Sequence, residues 1–132
     1  MSDKLPPKIL VIEPDEVLNA NLCNTIERCW FDVMRARSLE NAIRLAEVNP
    51  PNVAIISSRI TNKSANEIAA ELKKMKGMRD LPILFLVEQN ESENTTLSDQ
   101  YCSEYLIRPF TPNELMTIIR SLTSAIKTNI SR

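Results

Sequence analysis

The chain has 132 residues, of which 43% are hydrophobic and 25% are charged, and its formal net charge at pH 7 is -1. A chain of this length is expected to form one domain, which buries roughly two thirds of the surface that the unfolded chain exposes. The near-neutral charge argues against a primary nucleic-acid binder, because such proteins need a basic surface to displace counterions. The sequence also lacks an apolar run long enough to span a membrane. We therefore expect one cytoplasmic domain with no nucleic-acid or membrane partner.

Two residue types that enzymes often use are absent or nearly absent. The sequence has no histidine, which is the commonest general base and metal ligand, and it has a single glycine, Gly77. One glycine cannot build a glycine-rich phosphate loop. The cysteines Cys23, Cys29 and Cys102 lack metal-site spacing and fit reduced thiols. These features exclude most nucleotide-dependent enzymes, and we expect no enzymatic activity, no metal and no cofactor.

Five short apolar runs along the chain predict β-strands. The first, third and fourth runs are almost continuously apolar, which is typical of parallel strands that are covered on both faces. The second run alternates apolar and polar residues and predicts an edge strand. In chain order the runs are Lys8–Glu13, Phe31–Arg35, Asn52–Ser57, Pro82–Val87 and Glu104–Ile107.

The segments between and after these runs predict helices. Apolar residues recur there at helical spacing, in stripes that begin at Leu18, Leu39, Ile68 and Leu115. Ser64 followed by Glu67 is typical of a capping box at the start of the third helix. The segment 90–100 contains only Leu97 as an apolar residue, so we expect a short or mobile fourth helix there.

The alternation of strands and helices predicts an α/β fold of the flavodoxin-like (βα)5 kind. Right-handed crossovers then give a doubly wound, five-stranded parallel sheet with strand order 2-1-3-4-5. We expect one domain over residues 1–132, with a core at about 8–126 and with 1–7 and 127–132 as tails or linkers. The functional crevice of such a fold lies at the carboxyl ends of the strands, at the switch point between the first and third strands.

The four segments that meet at this crevice resemble the receiver (CheY-like) domains of response regulators. The receiver strand that ends in two acidic residues is matched by KILVIEPDE, and the strand that ends at the phosphoacceptor aspartate is matched by PPNVAIIS. The strand that ends in Thr or Ser is matched by LPILFLVE, and the Lys-Pro turn into the last helix is matched by EYLIRPFTPNEL. The resemblance covers about residues 8–126. It implies a role in bacterial two-component signalling, or phosphorelay.

The resemblance also implies which residues occupy the phosphorylation site. In the family an aspartate accepts the phosphoryl group, a carboxylate pair holds Mg²⁺, and a hydroxyl and a lysine contact the phosphoryl oxygens. Here Ser57 occupies the phosphoacceptor position, and Glu13 and Pro14 occupy the positions of the acidic pair. Val87 occupies the hydroxyl position and is followed by Glu88, and Arg108 occupies the lysine position.

These residues predict a degenerate site. Serine is a weak nucleophile that here has no histidine to activate it, and Mg²⁺ needs more oxygen ligands than Glu13 supplies. We expect Arg108 to pair with Glu13 or Glu88 in place of the metal and the phosphoryl group. The sequence therefore predicts a pseudo-receiver that is not phosphorylated on aspartate.

A partner-binding face is predicted around the expected fourth helix and the fifth strand. Tyr105 occupies the position of the receiver switch aromatic. Residues 85–104 contain five acidic residues, including Glu91 and Glu93, and no lysine or arginine. Phe110 is a candidate apolar contact. Because receivers commonly dimerise through this face, we expect either a protein partner or a homodimer.

Three alternative functions stay open beside this non-catalytic adaptor. The first is a working Mg²⁺-dependent receiver that uses another carboxylate, such as Asp15. The second is a ligand-sensing domain with a small molecule in the crevice, and the third is a small flavodoxin-like enzyme. Two segments are also similar to the second receiver of PleD-like diguanylate cyclases. The receiver resemblance further implies a cis peptide bond before Pro109.

Overall fold

The structure is a computed structural model that describes residues 5–58, 64–89 and 103–130, with side chains up to residue 124. The strands are β1 (Lys8–Ile12), β2 (Asp32–Ala36), β3 (Val53–Ser57), β4 (Ile83–Val87) and β5 (Glu104–Ile107). The helices are α1 (Glu16–Glu27), α2 (Leu39–Val48), α3 (Ala65–Lys73) and α4 (Pro112–Ile130). The helix expected at 90–100 lies outside the described residues, so α4 is the helix that follows β5.

The five strands form one parallel sheet in the order β2-β1-β3-β4-β5. This order confirms the predicted flavodoxin-like fold. Every residue of β3 and β4 is buried, as is all of β1 except Lys8, because helices cover both faces of these central strands. The strands β2 and β5 lie at the edges of the sheet and are more exposed.

Two apolar layers hold the helices to the sheet. One layer joins α2 and α3 to the face that carries Leu10, Ile56 and Phe85. The other joins α1 and α4 to the face that carries Val11 and Leu86. Successive residues of a strand point to opposite faces, so a continuous apolar run supplies both layers at once.

Side-chain caps start α3, at the predicted place, and α4. Ser64 and Glu67 form the reciprocal hydrogen bonds of a capping box at the start of α3. The same exchange occurs between Thr111 and Glu114 at the start of α4. These bonds satisfy backbone donors that have no partner within the helix. None of the helices described between residues 5 and 130 combines the length and the apolar character needed to cross a bilayer.

Candidate functional site

The carboxyl ends of four strands bring the predicted site residues together. Glu13 follows β1, Ser57 ends β3, Val87 ends β4 and Arg108 follows β5. Because all the strands are parallel, these ends share one edge of the sheet, and we call this edge the crevice. The crevice has the position at which doubly wound folds place their functional groups.

Glu13 is fully buried, and both of its carboxylate oxygens accept hydrogen bonds. Oε1 accepts from Nη2 of Arg108 at 3.1 Å, and Oε2 accepts from the backbone N–H of Asp15 at 2.9 Å. The buried amide of Asn19 donates to the backbone oxygens of Glu13 and Ala36, at 3.0 and 2.9 Å. The carboxylate is therefore held in one position by the two strand ends and by α1.

Arg108 contacts a second carboxylate in the crevice. Its Nε lies 3.2 Å from Oε2 of Glu88, as a charge pair without the alignment of a hydrogen bond. The Arg108 side chain is only 15% exposed, and its guanidinium carbon lies 5.6 Å from the ring centre of Phe110. One guanidinium thus bridges the ends of β1 and β4. The peptide bond between Arg108 and Pro109 is cis, the isomer that the receiver resemblance implies.

Ser57 and Val87 offer little to a phosphoryl group. Both residues are buried, and Val87 packs in the apolar layer of α2 and α3. A valine side chain cannot donate or accept a hydrogen bond, so the position that carries a hydroxyl in the family is apolar here.

The residues after β1 are engaged in structural contacts. The backbone oxygen of Pro14 accepts a hydrogen bond from Nε of Arg37 at 3.1 Å. Asp15 is the N-cap of α1, and its Oδ1 accepts from the backbone N–H of Leu18 at 2.9 Å. The carboxylate of Asp15, considered above as an alternative phosphoacceptor, therefore caps a helix.

The residues of the crevice do not fit the Mg²⁺ ion that the receiver fold implies. Mg²⁺ prefers octahedral oxygen ligands, usually including one or two carboxylates. Pro14 has no side-chain oxygen, Ser57 has only a hydroxyl, and Glu13 already accepts from two donors, one of them the cationic Arg108. In the part of the chain that the structure describes, no group of three or more acidic, histidine or cysteine side chains is arranged to hold a metal ion.

The predicted partner-binding residues are only partly brought together. Tyr105 is 52% exposed on β5, and Ile107 is exposed beside it on the same face. Glu91 and Glu93 lie outside the described residues. Phe110 lies instead in the layer of α1 and α4, because the chain crosses the end of the sheet before α4 begins. The structure therefore does not place Phe110 on the Tyr105 face, and its contact with a partner stays a prediction.

Two features of the structure were missed from sequence. Asn19 is a polar residue on the buried side of α1, and its position beside Leu22 in the helical stripe was the only available signal. Trp30, two residues after the C-cap Arg28 of α1, is 87% exposed and has a φ of 71°.

Comparison with known proteins agrees with this fold, although no family model matches the chain. The transcriptional regulatory protein PhoP for alkaline phosphatase synthesis in Bacillus subtilis is 27% identical over 116 residues, which are 87% of this chain and 48% of PhoP. The probable transcriptional regulator ycf29 of Pyropia yezoensis is 29% identical over 116 residues, which are 87% of this chain and 52% of ycf29. The chain thus spans about half the length of these curated relatives.

A solved structure gives the same result for the fold. The response regulator receiver domain protein of Clostridium thermocellum superposes with a TM-score of 0.82 at 24% identity, covering 92% of this chain and 98% of that one. The fold and the sequence matches support a receiver (CheY-like) domain of the response-regulator type, the class of domain that serves two-component signalling.

Proposed function

We propose that this chain is a non-catalytic receiver domain that acts in the cytoplasm as a protein-interaction or dimerisation adaptor and is not phosphorylated on aspartate. The observation that carries the proposal is the position of Arg108. Its guanidinium lies between the carboxylates of Glu13 and Glu88, where a metal ion and a phosphoryl group would otherwise need to bind. An arginine remains charged at any physiological pH, so these carboxylates keep a permanent counter-ion.

The chemistry of the remaining residues supports the same proposal. Ser57 would form a phosphate ester, which lacks the reactivity of the acyl phosphate that an aspartate forms. Its hydroxyl also has no histidine nearby, because the chain has none. Val87 provides no hydrogen bond, and Glu88 adds negative charge where a phosphoryl group would bring more. A Mg²⁺-dependent receiver that uses Asp15 is disfavoured because this side chain caps α1.

The exposed face of β5 supports an adaptor role. Tyr105 and Ile107 lie on the same face of an edge strand, and both are exposed. Tyrosine is enriched in protein interfaces because it buries a large ring and retains a polar group. The acidic residues Glu91 and Glu93 follow β4 in the sequence, and we propose that they add charge near this face.

The proposal is tested by measuring self-association and partner capture in matched variants. Sedimentation velocity and pull-down are run on the native chain and on Tyr105→Ala, Ser57→Ala and Val48→Ala, with and without acetyl phosphate and Mg²⁺. Val48 is a control because it is also exposed but lies at the end of α2. Tyr105→Ala should weaken association about thirtyfold, whereas the other two variants and the phosphodonor should have no effect. Association that increases with acetyl phosphate and disappears in Ser57→Ala would overturn the proposal.

A further inference from the structure

A groove runs between α1 and the start of α4, in the helical layer opposite the Tyr105 face. Two adjoining cavities of about 190 and 230 Å³ form the groove, and both are lined by Thr25 and Pro112. The side chains of Phe110, Leu115 and Met116 give it a largely apolar lining. An open apolar groove of this kind suits a segment of another protein that carries large apolar side chains.

The charged residues that line the groove are all positive. They are Arg28 at the end of α1, Arg108 in the crevice and Arg120 on α4, and no aspartate or glutamate lines either cavity. The charge of Arg108 is balanced by Glu13 and Glu88. Arg28 and Arg120 are exposed, so their positive charge is available to a bound segment. Because guanidinium groups bind carboxylates in a bidentate manner, the groove is complementary to acidic side chains.

Trp30 provides a second, independent observation beside this groove. It lines neither cavity, but it directly follows Cys29, which lines the 230 Å³ cavity. Its φ of 71° is unfavourable for any residue with a side chain, and a bulky residue in this region is a true outlier. At 87% exposure the indole gains almost nothing from burial in the domain itself. A strained residue of this kind is a reason to look for function, because glycine would satisfy the fold better.

We propose that the groove and Trp30 together form a docking surface for a partner protein segment that carries acidic side chains beside large apolar ones. The apolar side chains of the partner would fill the groove, its carboxylates would pair with Arg28 and Arg120, and Trp30 would be buried as the anchor. Tryptophan and arginine are the residues most enriched in interface hot spots. The surface is distinct from the proposed Tyr105 face. Tyr105 is paired in register with Phe85, whose side chain packs in the layer of α2 and α3, so Tyr105 lies on that side of the sheet.

The test uses a synthetic helical peptide with leucine at spacing i, i+3, i+4 and i+7 and with glutamate at the other positions. A matched peptide carries glutamine in place of every glutamate. Trp30 is the only tryptophan of the chain, so its fluorescence reports directly on this surface. The acidic peptide should shift the emission to the blue in a saturable manner. Anisotropy of a labelled peptide then gives the affinity for every variant, including those without tryptophan.

Two variants and two controls assign the effect to the surface. Trp30→Gly should weaken peptide binding about thirtyfold without unfolding the domain, since glycine accepts the positive φ. Arg28→Gln combined with Arg120→Gln should weaken binding about tenfold, mainly at low salt. The controls Arg44→Gln and Val48→Ala change exposed residues of α2, in the opposite layer, and should leave the affinity unchanged.

Three results would overturn this docking surface. The first is equal affinity for the glutamine peptide, and the second is an unshifted emission at saturation. The third is an emission shift that depends on protein concentration alone, because such a shift would assign the surface to a second copy of the chain. The Tyr105→Ala variant distinguishes this proposal from the proposed function, because it should bind the acidic peptide as well as the native chain does.

Discussion

Replacing Arg108 by methionine should destabilise the domain far more than the loss of a surface ion pair does. Methionine keeps much of the aliphatic volume but removes the guanidinium that contacts Glu13 at 3.1 Å and Glu88 at 3.2 Å. Glu13 is fully buried and would keep only the N–H of Asp15 as a donor. Breaking a buried ion pair from one side costs roughly 3–5 kcal/mol. Because Arg108 is 15% exposed, we expect the lower end, about 3 kcal/mol.

The free energy of unfolding is measured by urea denaturation followed by far-ultraviolet circular dichroism. Fluorescence is a poor probe here, because the single tryptophan is already exposed in the folded chain. The matched control is Arg35→Met, which removes a 2.9 Å ion pair with Glu27 whose side chains are 43% and 44% exposed. This control substitution should lower the free energy of unfolding by less than about 1 kcal/mol.

A second substitution separates the unpaired charge from the lost packing. In the Arg108→Met background, Glu13→Gln removes the buried negative charge, so it should recover part of the lost stability. Two results would show that the guanidinium is not the counter-ion of the crevice. One is an Arg108→Met variant that loses no more free energy of unfolding than Arg35→Met does, and the other is a Glu13→Gln substitution that destabilises the native chain and Arg108→Met equally.

Four further predictions concern the crevice, Cys23 and Trp30. Calorimetric titration with Mg²⁺ should give no heat of binding, and saturable binding that is lost in Glu13→Gln would contradict the geometry of the crevice. Burial raises the pKa of the Cys23 thiol from 9.0 to about 11, so Cys23 should react with a disulfide reagent far more slowly than Cys29 in the native chain. Because the pKa of this thiol is higher in the folded chain than in the unfolded one, its protonated form stabilises the fold fully below pH 9, and this stabilisation is lost as the pH rises from 9 through 11. Over this range the free energy of unfolding should fall by about 3 kcal/mol more in the native chain than in Cys23→Ala. Trp30→Gly should raise the free energy of unfolding by up to about 1 kcal/mol, and a decrease would contradict the strain inferred from its φ.

The fold was predictable because the central strands have to be apolar on both faces. The runs that became β1, β3 and β4 are buried from nearly end to end, which in a short α/β chain leaves few arrangements other than a parallel sheet. The strand ends were uncertain by a residue or so. Glu13, for example, was placed within the first strand, but it follows β1 while its N–H still donates to the backbone oxygen of Ala36.

The candidate site was predictable in position but not in detail. Glu13 and Arg108 were expected to meet because each follows a parallel strand, but the path of a long side chain cannot be derived from spacing. The sequence therefore left Glu13 and Glu88 as alternative partners of Arg108, and the structure pairs it with both. Trp30 was missed because a left-handed residue after a helix is usually recognised by a glycine, and the chain has none there.

The most direct test of the central claim is the intact mass of the chain after incubation with acetyl phosphate and Mg²⁺, beside a receiver domain that has the phosphoacceptor aspartate. The control domain should gain the mass of one phosphoryl group. This chain should gain none, because the crevice has a serine at the acceptor position and an arginine between its carboxylates. A stoichiometric mass increase that is lost in either Ser57→Ala or Asp15→Asn would contradict the account.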